Sequence, residues 1–337
     1  MGDAKLHLID VEAETVGAPV PLAVVTPPGF DPGGASLPLC RVLHGGGGDR
    51  SKLEGDLPFI EAAWADGEIV PMVFVTASTG PLSWYGGDWE DFIAEELPTI
   101  MADRFNTRTD PAGSVMTGRS MGGFGTLKIA LKRPDQFAAI AALEPAIEPG
   151  LRRDEATPRN SFYRFADVDH ALWGDPVDQD RWAADNPANI ATENATTIRE
   201  SGLEIYLECG DQDSLNLHDG AEFMHRTLWD LDVRHEFHLV RWADHVGTSF
   251  ARRVPEALRF LSDALSGGLS APTGFALNAE EQAWVDWVRG GMVGEPVQLS
   301  LSTERGPAMM AIMNEAKKTP AMELDPTFAR SYGVMGF

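Results

Sequence analysis

Short apolar runs alternate along the chain with longer segments whose apolar positions recur at helical spacing. The short runs, mostly bounded by Gly, Pro, Asp or Asn, predict strands at Leu6–Val11, Leu22–Thr26, Pro38–Leu43, Met72–Ala77, Ser114–Thr117, Ala138–Leu143, Leu203–Cys209 and His235–Val240. The later runs lack clean alternation, as strands covered on both faces do. Helical spacing predicts Asp88–Met101, acidic at its start, with Pro98 able to kink it or end it. It also predicts Gly122–Arg133, stopped by Pro134, and Gly220–Leu231, with Phe223, Met224, Leu228 and Leu231 on one face. A fourth helix, Ser249–Leu265, gathers Val254, Leu258, Leu261 and Leu265. Strands alternating with helices predict an α/β fold, a mostly parallel sheet with helices on both faces.

Two stretches break this rhythm. Residues 150–200 are rich in Asp, Asn, Arg, Pro and Trp without a strong period, and read as a cap or insertion over the sheet's carboxyl edge. Near Ser266 the pattern ends in Gly267-Gly268 and Ala271-Pro272-Thr273-Gly274, a linker. The expected organisation is a catalytic domain over 1–265 and a linker with a C-terminal helical extension over 266–337. In that extension Asn278-Ala279-Glu280-Glu281 resembles a capping box opening a helix with Trp284, Val285, Trp287 and Val288. A second helix, Pro307–Lys318, sets Met309, Ile312, Met313 and Ala316 on one stripe. These helices pack on their own core, pair with another subunit as a homo-oligomer, or cover the site; the first is favoured.

Composition narrows the classes. The chain has 337 residues, 43% apolar and 23% charged, enough apolar surface to offset chain entropy and exclude general disorder. A net charge of −24 disfavours nucleic acid and anionic membranes as partners. Two cysteines, Cys40 and Cys209, make neither a disulfide framework nor a four-cysteine zinc site, and read as small buried residues at strand ends. The start, Met1-Gly2-Asp3-Ala4-Lys5-Leu6, lacks the pattern of a secretory signal or a myristoylation site. No segment approaches the roughly 18 apolar residues of a membrane span, so a cytoplasmic location is the default expectation.

The strongest chemical signal is Gly118-Arg119-Ser120-Met121-Gly122, between a predicted strand and a predicted helix. A serine hydroxyl is a weak nucleophile unless it is held out on a sharp turn beside a base. Glycines two before and two after Ser120 permit that turn, and the helix start aims unpaired N–H groups at developing negative charge. A second signal, His44-Gly45-Gly46-Gly47-Gly48-Asp49, follows another strand. Acyl transfer needs two donors for its oxyanion, and the N–H groups of Met121 and Gly46 are the candidates. His44 reads as a hinge of this loop. A phosphate cradle is the rival, but Asp49-Arg50 stands where a P-loop needs Gly-Lys-Ser/Thr.

The serine needs a base and a group to orient it. His245, in Trp242-Ala243-Asp244-His245, lies between the last strand and the last helix, on the rim expected of Ser120. After the penultimate strand, Gly210-Asp211-Gln212-Asp213 offers two acids. Asp213 is favoured because the turn must clear the strand end, whereas Asp211 suits a turn cap. The order Ser, Asp, His is that of α/β-hydrolases. No spaced His–carboxylate motif predicts a metal, and no cofactor is expected.

These motifs, with the Arg133-Pro134-Asp135-Gln136-Phe137 exit, resemble the putative-esterase family of α/β-hydrolases over roughly residues 20–265. That family includes feruloyl and acetyl-xylan esterases, the esterase D type formylglutathione hydrolases and the antigen 85 mycolyltransferases. The resemblance implies an α/β-hydrolase fold, Ser120 as nucleophile, Asp213 and His245 as its partners, and Gly46 as an oxyanion donor. The chain departs from it at Glu144-Pro145, where relatives often carry a small polar residue. Glu144 reads as a binder of a cationic or hydroxylated substrate group, or as a salt-bridged rim residue, the latter favoured. Trp84, Tyr85, Trp173 and Trp242 read equally as pocket walls or as core. The expected function is a serine carboxylesterase acting on a small-molecule ester through an acyl-enzyme. The alternatives are an acyltransferase using the same triad and a non-catalytic binding protein on a hydrolase scaffold.

Overall fold

The computed structural model describes residues 4–266, 278–289 and 292–297. Eight strands form one sheet: β1 (Lys5–Ala13), β2 (Ala18–Thr26), β3 (Leu39–Leu43), β4 (Val73–Ala77), β5 (Ser114–Arg119), β6 (Ala139–Leu143), β7 (Glu204–Gly210) and β8 (Glu236–Val240), in the order β1-β2-β4-β3-β5-β6-β7-β8. The first two strands and β4 pair antiparallel; from β4 through β3 to β8 all pairing is parallel. Each predicted strand is present, shifted by a few residues at its ends. The α/β-hydrolase fold follows from this order.

The central strands are buried on both faces, which explains their missing alternation. Successive residues of β4 serve two separate cores: Val73, Val75 and Ala77 face one, Phe74 the other. The same split divides Leu39 and Leu43 from Cys40 and Val42 in β3. Helices Ser51–Ala65 and Phe250–Leu265 cover the second core. The first is covered by Met121–Lys132, Pro187–Ser201 and Leu217–Asp230, and by a helix beginning at Asp88. Cys40 and Cys209 are free, buried residues, one on each face. Burial pushes the Cys40 thiol up to about 12.

Pro98 does not end its helix. Asp88–Asp91 runs through a wider turn at Phe92–Glu96 into Leu97–Phe105. Pro98 has no N–H for the Ala94 carbonyl, and the Leu97 N–H reaches back to Phe92 rather than to Ile93. Arg41, buried in β3, donates to both stranded carbonyls, at 3.2 Å to Ile93 and 3.4 Å to Ala94.

Residues 150–200 are more regular than the sequence predicts. They form helices Pro158–Ser161, Ala166–Trp173, Gln179–Asp185 and Pro187–Ser201. The last packs on Met121–Lys132 and Leu217–Asp230 and is the crossover from β6 to β7, part of the sheet's own covering. The first touches the entry of helix Leu217–Asp230: Arg159 bonds Asp219, and its carbonyl accepts from Asn216.

The chain divides into two units, Met1–Gly268 and Leu269–Phe337. In the second, Asn278 and Glu281 exchange backbone-to-side-chain bonds of 2.8 and 2.9 Å, closing a capping box before helix Ala279–Arg289. The predicted Pro307–Lys318 helix lies outside the described residues. Among those residues no helix is long and apolar enough to cross a membrane.

Candidate active site

Strands β3 to β8 end on one rim, and the predicted site residues lie in the loops that follow. Ser120 leaves β5 at φ 55° and opens helix Met121–Lys132 without capping it, so its hydroxyl is not folded back onto the helix. Its N–H donates to the Leu143 carbonyl at 3.1 Å, and its own carbonyl accepts from Phe124 and Ala146. A Cβ on Gly118 would collide with the Gly122 carbonyl, and one on Gly122 with that of Leu43. The two glycines let helix, turn and β3 approach this closely.

The loop after β3 lies against this turn. A Cβ on Gly45 would stand 3.6 Å from that of Ser120. Within the loop the Gly47 N–H donates to Pro81 at 2.6 Å and that of Gly48 to Gly45 at 3.0 Å. Among the described residues no hydrogen bond takes up the Gly46 N–H. His44 anchors the loop from beneath. Its Nε2 accepts from the Thr79 N–H at 3.2 Å, so Nδ1 carries the proton and donates to the Gly45 carbonyl at 2.9 Å. Burial lowers its pKa, and the imidazole is a neutral hinge.

Asp213 and His245 meet directly. The His245 Nδ1–H donates to Asp213 Oδ2 at 2.9 Å. The other carboxylate oxygen accepts from the Leu215 N–H at 2.8 Å, and the Cys209 thiol stands 3.8 Å from Oδ2. Backbone bonds join their two loops: Asp211 to Val240, Gln212 to Ala243, Trp242 to the Asp211 carboxylate and Ser214 to the Asp244 carboxylate. Asp211 is thus the turn cap. Burial works against a charge on His245, but the Asp213 hydrogen bond and the Glu144 and Asp213 charges outweigh it and raise its pKa. Among the described residues no hydrogen bond joins the Ser120 hydroxyl to the imidazole. Of the other histidines, His225 and His235 bond each other at 2.8 Å, and His238 stacks on Tyr206.

Three of the aromatic residues read equally as pocket walls or core, and Glu144, read first as a salt-bridged residue, are all buried. Trp84, Tyr85, Glu144 and Trp173 are 5%, 1%, 1% and 1% exposed. Trp84, Phe124 and Trp173 surround the Arg164 guanidinium, which stands 3.5 Å over the Trp84 ring and pairs with the buried Glu148. The Tyr85 hydroxyl donates to the His44 carbonyl at 2.9 Å. Glu144, at φ 39°, is paired with the buried Arg253, which also grips Glu208 with two bonds of 2.7 Å. Trp242 alone of the five is open, at 74%.

The residues that sequence reasoning missed are Arg253, Glu208 and Arg164. Only an arginine inside the apolar stripe of a predicted helix signals the first. One oxygen of Glu144, one of Asp213 and one ring nitrogen of His245 lie within 4.8 Å of one another. Of the three, Glu144 is paired with the Arg253 guanidinium.

A serine on a tight strand-to-helix turn, a glycine loop with an open N–H and a histidine–carboxylate pair sit on one rim. The profile of one family, described as putative esterase, matches residues 13–260. The chain belongs to the putative-esterase family. An esterase of Mycobacterium tuberculosis is 30% identical over 205 residues, which cover 55% of this chain and 42% of that protein. The diacylglycerol acyltransferase/mycolyltransferase Ag85A of Mycobacterium leprae is 27% identical, over 54% of this chain and 57% of its own. The chain thus spans about half the length of these relatives. Among solved structures, a ferulic acid esterase superposes with a TM-score of 0.64 at 18% identity, covering 79% of this chain and all of that one. Beneath the rim lies the buried Glu144–Arg253–Glu208 group.

Proposed function

We propose that this member of the esterase family is a serine carboxylesterase, with Ser120 as nucleophile, His245 as base and Asp213 as the orienting acid. The hydrogen bond between Asp213 and His245, on the rim where Ser120 is presented at positive φ, carries this reading. Ser120 Oγ attacks the ester carbonyl as His245 Nε2 takes its proton. Asp213 holds the tautomer that leaves Nε2 free to accept, and stabilises the imidazolium. The N–H groups of Met121 and Gly46 receive the oxyanion, each worth on the order of 100- to 1,000-fold in turnover. His245 then protonates the leaving alcohol, and water repeats the sequence on the acyl-enzyme.

A second reading, acyl transfer to an alcohol through the same acyl-enzyme, is favoured by the relative named as an acyltransferase. The test uses the purified chain and p-nitrophenyl acetate. Wild type releases p-nitrophenol and is labelled by a fluorophosphonate; Ser120→Ala does neither while keeping its circular dichroism. Turnover by Ser120→Ala overturns the serine mechanism. With a sugar or glycerol acceptor present, a new ester favours transfer and free acid favours hydrolysis.

A further inference from the structure

Glu144 is a buried acid beside the site that the mechanism above does not use. Several contacts fix its place. Its N–H donates to the Glu208 carbonyl at 2.7 Å, and its neighbours Leu143 and Ala146 bond to the backbone of Ser120. The backbone is held at φ 39°, in the left-handed region that a glutamate adopts only under constraint. Its carboxylate is 1% exposed, so no substrate reaches it without rearrangement. It points at Arg253 on one side, and lies within 4.8 Å of Asp213 and a His245 ring nitrogen on the other.

The charges around it form a closed set. From helix Phe250–Leu265 comes Arg253, from β7 Glu208 and the Cys209 thiol, and from the loops beyond Asp213 and Asp244. Arg119, the last residue of β5, and Lys52, on helix Ser51–Ala65, also feel Glu144, and both pair with Asp56. Of the buried and half-buried members, Lys52, Arg119 and Arg253 are cations, and Asp56, Glu144, Glu208 and Asp213 are carboxylates. When all are ionised the set carries one excess negative charge, and a proton on His245 balances it.

We propose that Glu144 is a positioning residue, a second carboxylate set beside His245 that supports the imidazolium formed when Ser120 gives up its proton. The proposal rests on the serine mechanism above and extends it to a group that touches neither substrate nor nucleophile. Asp213 orients the ring by a direct bond. Glu144 acts through space, in a water-poor site where an opposite charge at this distance is felt strongly. Arg253 holds the carboxylate in place, and its guanidinium is shared among Glu144, Glu208, the Asp244 carbonyl and the Ser249 hydroxyl, so the Glu144 charge is not fully cancelled. Burial pushes the Glu144 carboxyl up to about 7, with Arg253 and His245 pulling the other way.

The test follows the His245 ring by NMR, assigned with His245→Asn, alongside the pH profile of kcat/KM on p-nitrophenyl acetate. In Glu144→Gln the imidazole titration and the acid limb both move to lower pH by about one unit, kcat falls about tenfold and KM is unchanged. Glu144→Asp, with the charge kept but withdrawn by a methylene, moves both in the same direction by less. A structural role would lower stability and leave both curves in place; coincidence of the Glu144→Gln curves with wild type overturns the proposal. Should Glu144→Gln not fold, an unmoved titration in Glu144→Asp overturns it instead. The ring titration is read whether or not esters are turned over, so failure of the esterase reading shows separately, as wild type without ester turnover.

Discussion

Asp213 and His245 stand 32 positions apart in the chain and share a 2.9 Å hydrogen bond, Nδ1–H to Oδ2. Their loops are stitched by backbone bonds on either side of the pair, so the imidazole is oriented before any ligand arrives. An asparagine at 213 keeps the shape but offers the ring an amide, which favours the wrong tautomer. Asp213→Asn is therefore expected to cut kcat on p-nitrophenyl acetate on the order of 10⁴-fold, with native circular dichroism. A loss below tenfold would show that Asp213 does not orient the base.

The turn at Ser120 depends on what its neighbours lack. The added methyl of Gly122→Ala meets the Leu43 carbonyl, and backbone on both sides has no room to yield. Forcing the helix away from β3 costs about 1–3 kcal/mol or more. Urea denaturation of Gly122→Ala should show a lower midpoint, and fluorophosphonate labelling should fall as the turn opens. An unchanged midpoint would mean the elbow tolerates a wider approach than its geometry allows.

The strands are legible in the sequence because a strand buried on both faces must be a short apolar run, and turn residues mark its ends. Ser120 is legible for a similar reason: the glycines its turn requires are written beside it. The helix Ser51–Ala65 escapes notice because Lys52, Asp56 and Pro58 interrupt its stripe, although Asp56 is buried against Lys52 and Arg119. Pro187–Ser201 buries Ala188, Ala191 and Ala195, which carry little apolar signal.

What the sequence hides at the site is pairing over distance. Glu144 is visible as a residue at a strand's carboxyl end, but Arg253 lies 109 positions away. Trp84 and Trp173 are visible as aromatics, but not the guanidinium between them. Strain is hidden too. Every strand from β4 to β8 is followed by a non-glycine residue at positive φ: Trp84 and Tyr85, then Ser120, Glu144, Asn216 and Trp242. Local preference argues against each, and only the assembled rim holds them there.

Arg164 shows how the segment after β6 is anchored to the nucleophile's helix. Its guanidinium lies among Trp84, Phe124 and Trp173, with Glu148 as its charge partner, and both charged side chains are 2% exposed. Arg164→Met keeps the volume and strands the Glu148 charge, a loss of about 3–5 kcal/mol in unfolding free energy. The double variant Arg164→Met, Glu148→Gln should recover part of that loss. A double variant no more stable than the single would assign the effect to lost ring contacts.

The buried Glu144 carboxyl also ties stability to pH. In the folded protein burial pushes it from the ordinary value near 4.5 up to about 7. The native state therefore holds this proton more tightly than the unfolded chain does. Its stabilising contribution is fully present below about 4.5 and is lost as pH rises through about 7, a change on the order of 3 kcal/mol. Glu90 and Asp185, whose carboxyls are held low, have the opposite sign and matter only in more acid solution. Glutamine mimics the protonated group. Urea midpoints of wild type and Glu144→Gln should therefore lie close together at pH 5 and diverge by pH 8, with the variant the more stable. Equal separation at both pH values would show that the ionised carboxylate carries no such cost. If the divergence appears, the protein sacrifices stability at neutral pH to keep a negative charge beside His245, a trade that makes sense only where an imidazolium must form.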